Sequence, residues 1–264
     1  MASRLRSGAD TDACANPSAI LALTRNLSIL SRDLYLDPPD ASAVAVRPPP
    51  YTTCVRALLV ANGDLPSSGL IASLRSRADL VVAADGGADK ALAAGLTVDA
   101  VVGDLDSVSD AARAAIPPDR FHLAPALDTT DLQKAIAFAI ERGCTAVDVV
   151  AAGGGRADHA LANLSVLLLF RGQADLRIVD DLFDVRLVDV VARIEAEPGT
   201  VVSLVALGAC AGVTTTGLRW NLDDFTLPFS PRGIHNEIAH SPATVAVREG
   251  DLLLFVGRWV EKHR

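Results

Sequence analysis

The chain has 264 residues and carries 24 Lys and Arg against 32 Asp and Glu, a net charge of −8. That balance excludes the basic footprint needed by a nucleic-acid binder or by a protein held on an anionic membrane. Half the residues are hydrophobic but only 4% are aromatic, enough for a large core of Ala, Val and Leu.

Mean hydropathy is +0.31, yet the strongest apolar runs, 164–170 and 201–213, fall short of the about 18 residues a membrane span requires. A soluble protein is expected. Cys14, Cys54, Cys144 and Cys210 form no CxxC pair, and His122, His159, His235, His240 and His263 form no HxxxH or HExxH pattern. Reduced thiols, a cytoplasmic setting and no protein-only zinc site follow as expectations.

Residues 1–54 are dominated by Ala, Ser, Asp, Arg and Pro and end near Arg47-Pro48-Pro49-Pro50, which can continue neither a helix nor a central strand. Arg4, Arg6, Arg25 and Arg32 suit a transit peptide, whereas Asp10, Asp12, Asp33 and Asp37 count against one. The segment is read as a flexible extension.

From residue 55 strands and helices alternate. Residues 55–61 read as a strand ending in Asn-Gly, 66–76 as a helix, 80–84 as a buried strand, 86–94 as a helix closed by Gly95, and 100–102 as a third strand. Residues 129–142 give the clearest helix, with a Thr cap, apolar Leu132, Ile136, Phe138 and Ile140, and Gly143 as its stop. Then come a strand at 147–151, an apolar helix at 159–170 ended by Gly172, and a strand at 176–179. Apolar strands separated by helices predict a three-layer α/β domain over 55–181 with a mainly parallel sheet. Residues 183–194, 201–207, 213–216, 226–229, 244–247 and 252–256 are strand-like with turns between them, which predicts a smaller all-β sandwich over 182–264.

Ligands of open parallel sheets bind beyond the carboxyl ends of the strands, and here those ends carry acids. Asp85-Gly86-Gly87, Asp104-Leu105-Asp106-Ser107, Asp128-Thr129-Thr130-Asp131 and Gly153-Gly154-Gly155-Arg156-Ala157-Asp158-His159 each follow a predicted strand or open a predicted helix. One such acid is often only a helix cap; four clusters on one edge are harder to explain that way. Asp104 and Asp106 would point the same way on extended chain. Oxygen ligands without Cys or His suit Mg²⁺ beside substrate phosphates, and the glycines leave N–H groups open near helix starts, where phosphate is favoured. There is no GxxxxGK[ST] and no GxGxxG after the first strand, so neither a P-loop enzyme nor a dinucleotide dehydrogenase is indicated. Asp104-Leu105-Asp106-Ser107-Val108 matches the DxDx[TV] signature of haloacid-dehalogenase phosphatases. However, two strand–helix units precede it, and Lys134, the one mid-chain lysine, sits in the wrong context for that family.

Taken together, Ala84-Asp85-Gly86-Gly87-Ala88, Gly103-Asp104-Leu105-Asp106-Ser107, Asp128-Thr129-Thr130-Asp131-Leu132, Gly155-Arg156-Ala157-Asp158-His159 with Asn163, and Thr215-Thr216-Gly217-Leu218-Arg219-Trp220-Asn221-Leu222 resemble the thiamine pyrophosphokinase family in its own order. The resemblance spans about residues 55–258. It implies an α/β domain followed by a β-sandwich, a homodimer with active sites between subunits, and transfer of the ATP pyrophosphoryl group to the thiamine hydroxyl with release of AMP.

Carried over residue by residue, the resemblance implies that Asp104, Asp106 and Asp131 hold Mg²⁺ against the phosphates, with Asp85 and Asp128 beside them. Arg156 would contact phosphate unless it only forms a surface ion pair. Asp158 would meet the thiamine cation, with His159 and Asn163 one helical turn along. Thr214 and Asn236 would bind substrate, and Trp220 would be a stacking wall or else a core or dimer anchor. The family tends to carry Ser-Asn where this chain has His235-Asn236. The alternatives carried forward are the phosphatase and a non-catalytic sensor of thiamine diphosphate or a nucleotide.

Overall fold

The computed structural model describes residues 55–126 and 128–261; the N-terminal extension read from the sequence lies outside them. Chain order is β1 (Arg56–Val60), α1 (Ser68–Arg75), β2 (Leu80–Ala84), α2 (Gly87–Ala93), β3 (Ala100–Gly103), α3 (Asp110–Ala115), a 3-10 turn (Pro118–Arg120), β4 (Phe121–Leu123), α4 (Asp131–Glu141), β5 (Ala146–Val150), α5 (Ala157–Asn163), α6 (Val166–Leu169) and β6 (Asp175–Val179). These six strands are all parallel, in the order β6-β5-β1-β2-β3-β4.

Their apolar character follows from burial on both faces. On one face Leu58, Val60, Val81 and Val101 pack with Ile71 and Leu74 of α1, Ala88 and Ala91 of α2 and Ala112 of α3. On the other, Leu59, Val82, Val147 and Val149 pack with Leu132, Ala135, Ile136 and Ala139 of α4 and Val166 and Leu167 of α6. The α4 residues recur at helical spacing, and the helix starts where Thr130 accepts the Gln133 N–H at 3.2 Å. At the start of α2 a Cβ on Gly87 would lie 2.1 Å from the Val60 carbonyl oxygen. Only glycine lets that helix begin against the end of β1.

The second half comprises β7 (Phe183–Val188), β8 (Val191–Ile194), β9 (Thr200–Ala206), β10 (Cys210–Thr216), β11 (Phe225–Leu227), β12 (Asn236–Glu237), β13 (Ala243–Ala246) and β14 (Leu252–Val260). It is an antiparallel sandwich, with one layer continuous with the parallel sheet. β7 pairs antiparallel with β6, and β14, β9 and β12 extend the same ten-stranded sheet. The other layer is the four-stranded β11-β10-β13-β8. Val188, Val202, Leu204, Leu252 and Leu254 meet Ile194, Val213, Leu227 and Val245 between the layers.

Two sequence expectations need correction. Residues 183–194 are two strands: a bend at Asp189 and Val190 carries the chain from one layer to the other. Residues 159–170 are not one helix. Between α5 and α6 the chain tightens into i→i+3 bonds, from Leu164 N–H to Leu161 O and from Ser165 N–H to Ala162 O. Ser165 Oγ donates to Ala162 O as well, so a side chain competes for a backbone acceptor at the end of the first helix. The sequence reading had nothing for α3, the short edge strand β4 or β12.

Candidate active site

The chain builds β1 to β4 outward in one direction and then places β5 and β6 on the other side of β1. The switch in strand order therefore lies between β1 and β5, where a crevice opens at the carboxyl edge. A cleft of about 360 Å³ lies there, lined by Asn62 after β1, Asp85 after β2, Ser107 after β3, Thr130 and Asp131 at the start of α4, and His159 and Asn163 on α5.

Three non-glycine residues at this edge have left-handed backbones: Asp85 (φ 46°), Leu105 (φ 65°) and Ala151 (φ 56°). Such conformations cost of order 1–3 kcal/mol each and cluster at functional sites. Asp85 turns directly off β2, donates its N–H to Val102 O at 3.0 Å and is only 5% exposed. Its Oδ1 is buried without a hydrogen-bond partner. Burial pushes its pKa up; hydrogen bonds from Gly86 and Ser107 oppose the shift, and the charges of Asp131 and Asp104 add to it.

Asp104 and Asp106 do not lie on extended chain as the sequence reading assumed. Leu105 makes a left-handed turn between them, Asp106 N–H donates to Asp104 Oδ1 at 3.2 Å, and Ser107 Oγ donates to Asp106 Oδ1 at 2.9 Å. An Arg113 guanidinium N–H donates to Leu105 O and braces the turn. The turn still aims the acids together, for one carboxylate oxygen from each of Asp85, Asp104 and Asp106 lies within 4.8 Å of the others. Asp131 adjoins this trio: its Oδ1 accepts the Asp104 N–H at 3.3 Å and the Lys134 ammonium at 3.0 Å. Asp128 is exposed. Clustered hard oxygens, one of them a buried orphan, fit a divalent cation of the Mg²⁺ type.

On the opposite wall His159 and Asn163 reach the cleft, with the Asn163 amide anchored to Ala152 O at 2.8 Å. Arg156 and Asp158 do not line it. They form a two-bond ion pair with each other, at 3.1 and 2.5 Å, and are 72% and 62% exposed. The guanidinium hydrogen bonds hold the Asp158 carboxyl down to about 2.

Thr214, Trp220 and Asn236 lie on the sandwich and do not line the cleft either. Thr214 Oγ1 accepts the Asp224 N–H at 3.1 Å. Trp220 is 54% exposed, with the Arg219 guanidinium 4.9 Å from its ring centre, and Arg219 in turn pairs with the buried Glu237. His235 sits at φ 59° and donates its N–H to Ser203 Oγ. The sequence gives no separate role to Asn62, to Ser107 within the 104–107 cluster or to the Lys134–Asp131 bond. Asn62 carried a usable signal, since Asn-Gly ends the first strand at the same edge as the acids.

Fold and site define a class: a doubly wound α/β domain with an acidic crevice at the carboxyl edge of its sheet, joined to a β-sandwich. A family model described as "Thiamin pyrophosphokinase, catalytic domain" matches residues 71–179. A second, "Thiamin pyrophosphokinase, vitamin B1 binding domain", matches residues 191–252. The chain is 30% identical over 230 residues to Thiamine pyrophosphokinase 3 of Oryza sativa subsp. japonica, covering 74% of this chain and 83% of that protein. To the Thiamine pyrophosphokinase of Bacillus subtilis it is 28% identical over 195 residues, covering 66% and 86%. The crystal structure of the Bacillus subtilis enzyme superposes with a TM-score of 0.68 at 25% identity, over 76% of this chain and 98% of that one. The yeast enzyme shares the fold, with a TM-score of 0.65 at 16% identity over 79% and 87%.

The chain belongs to the thiamin pyrophosphokinase family. The α/β-plus-sandwich architecture expected from the sequence is met, and neither the phosphatase nor the sensor gains support.

Proposed function

We propose that this chain transfers the pyrophosphoryl group of ATP to the hydroxyl of thiamine, giving thiamine diphosphate and AMP. The observation that carries this reading is the convergence of Asp85, Asp104 and Asp106 within 4.8 Å beyond the carboxyl ends of β2 and β3. Beside it, Asp131 forms part of the cleft wall.

In this reading residues 55–181 bind ATP and residues 182–264 bind thiamine. Asp104, Asp106 and Asp131 would hold Mg²⁺, with Asp85 close enough to join them. When bound, the ion neutralises charge on the phosphates as the β-phosphorus is attacked. Asp85 Oδ1, which has no partner, is the atom we assign to receiving the hydrogen bond of the attacking hydroxyl, with Asp128 as outer support. The Arg156 guanidinium exchanges Asp158 for phosphate, which releases the Asp158 carboxylate toward the thiamine cation. His159 and Asn163 shape the wall, Thr214 and Asn236 hold the sandwich loops, and the Trp220 indole covers the cation.

We assign a homodimer with sites between subunits. Trp220, Phe229 and Ile234, exposed by 54%, 70% and 54%, supply apolar surface for such an interface. No helix among the described residues is long and apolar enough to cross a membrane, and we assign a cytoplasmic location. Incubation with Mg-ATP and thiamine should yield thiamine diphosphate and AMP in equal amounts. ADP as the main product, or phosphate release that ignores thiamine, would overturn the reading.

A further inference from the structure

Lysine is scarce in this chain: the described residues contain Lys90 and Lys134. Lys134 lies one turn into α4, and its side chain is only 9% exposed. Its ammonium is 3.0 Å from Asp131 Oδ1, the same oxygen that accepts the Asp104 N–H. Asp131 lines the cleft and is 30% exposed at its side chain. The ammonium of a largely buried side chain is therefore held on an acid that faces the substrate space, while Lys134 itself does not line the cleft. An i,i+3 pair formed only for helix stability would gain little and would not require burial of the charge.

Two consequences have opposite signs. A divalent cation bound by Asp131 competes with Lys134 for the same carboxylate, so the ammonium weakens binding of the bare ion by charge repulsion. Once the ion brings phosphate oxygens into the cleft, the displaced ammonium meets an anion, and its charge strengthens nucleotide binding.

We propose that Lys134 is a second cation of the active site, antagonistic to the bare metal at Asp131 and bound to phosphate oxygens in the nucleotide complex. The assignment rests on the pyrophosphokinase reading for the identity of the nucleotide. Its test reads binding alone and so stands apart from turnover.

The full-length chain, Lys134→Met and Lys134→Arg are compared by two titrations. The first is Mn²⁺ alone, followed by electron paramagnetic resonance. The second is α,β-methylene-ATP, whose α–β bridge cannot be cleaved, in saturating Mg²⁺. Lys134→Met should bind Mn²⁺ about 5- to 10-fold more tightly and the analogue about tenfold or more weakly, from loss of one charge at short range. Lys134→Arg should keep analogue affinity within about threefold of wild type. Mn²⁺ affinity that is unchanged or lower in Lys134→Met would make the lysine a mere prop for Asp131. Analogue affinity within twofold of wild type would remove it from the phosphates. Either result overturns the assignment. If Lys134→Met does not fold, as judged by circular dichroism, Lys134→Gln replaces it under the same criteria. Absence of AMP formation by the wild type would defeat the pyrophosphokinase reading and leave these binding outcomes interpretable.

Discussion

Trp220 and Asn236 hold each other through a reciprocal pair of hydrogen bonds: the Trp220 N–H donates to Asn236 Oδ1 at 3.2 Å, and Asn236 Nδ2 donates to the Trp220 carbonyl at 2.7 Å. The indole is more than half exposed, so these bonds and the neighbouring Arg219–Glu237 pair fix its loop more than packing does. Asn236 next supplies the same Oδ1 to the Glu237 N–H at 2.8 Å.

Asn236→Ala should therefore loosen the Trp220 loop without opening the core. Thiamine KM should rise by about 5- to 30-fold, the equivalent of about 1–2 kcal/mol for lost hydrogen bonds, while ATP KM stays near wild type. Steady-state kinetics with each substrate varied in turn would show this. Equal rises in both KM values would mean that Asn236 serves the fold rather than the thiamine side.

Gly103 is wedged between two of the acids. A Cβ there would lie 2.9 Å from Asp85 Cβ and 3.0 Å from Asp131 Oδ1, closer than carbon packing allows. Gly103→Ala must push the carboxylates apart, at a typical overpacking cost of about 1–3 kcal/mol. Activity should fall by at least about tenfold, and the Mg²⁺ concentration for half-maximal rate should rise. Wild-type activity with an unchanged Mg²⁺ requirement would show that the acids tolerate separation.

The strands of the α/β half were legible because parallel strands buried on both faces must be apolar throughout. Leu80–Ala84 is a run with no polar residue to blur its ends. The short edge strand Phe121–Leu123, partly exposed along its length, carries no such signal. The division of 183–194 was hidden because the apolar residues continue through Val190 and Val191. Only pairing with distant strands decides which layer each half joins. At the site, the edge rule located the acids. Which of them converge depended on the left-handed Leu105, a conformation that a Leu in sequence does not announce. The burial of the Lys134 ammonium against Asp131 is likewise a product of packing, since i,i+3 spacing alone also describes many exposed pairs.

Asp85 should show a conflict between stability and activity. Burial raises its pKa above the ordinary 3.8, so the folded chain holds that proton more tightly than the unfolded chain. Its favourable contribution is complete below the ordinary value and is lost as pH rises through the raised folded value. At neutral pH the ionised carboxylate works against the fold. In EDTA, Asp85→Asn should therefore melt higher than wild type at about pH 7, by roughly 2 °C or more, and the difference should shrink toward about pH 4. Activity of the variant in Mg²⁺ should nonetheless fall by at least about tenfold. Thermal melts across pH that show Asp85→Asn less stable at neutrality would contradict this account of the buried charge.

The sharpest prediction concerns which subunit Trp220 serves. Alone, Trp220→Ala should raise the thiamine KM by about 2- to 30-fold, since stacking a desolvated cation on indole contributes about 0.5–2 kcal/mol. Asp104→Asn, which removes a carboxylate without changing size, should nearly abolish turnover. A mixed dimer of one Trp220→Ala subunit and one Asp104→Asn subunit, assayed at thiamine well below KM, separates the two arrangements. If each site joins the α/β half of one subunit to the sandwich of the other, one site carries both lesions and one carries neither. About half the wild-type activity then remains, with a wild-type thiamine KM. If Trp220 serves its own subunit, each site carries one lesion, and the only turning sites have the raised KM of Trp220→Ala. Activity at low thiamine then drops well below half, and the shared-site dimer is refuted.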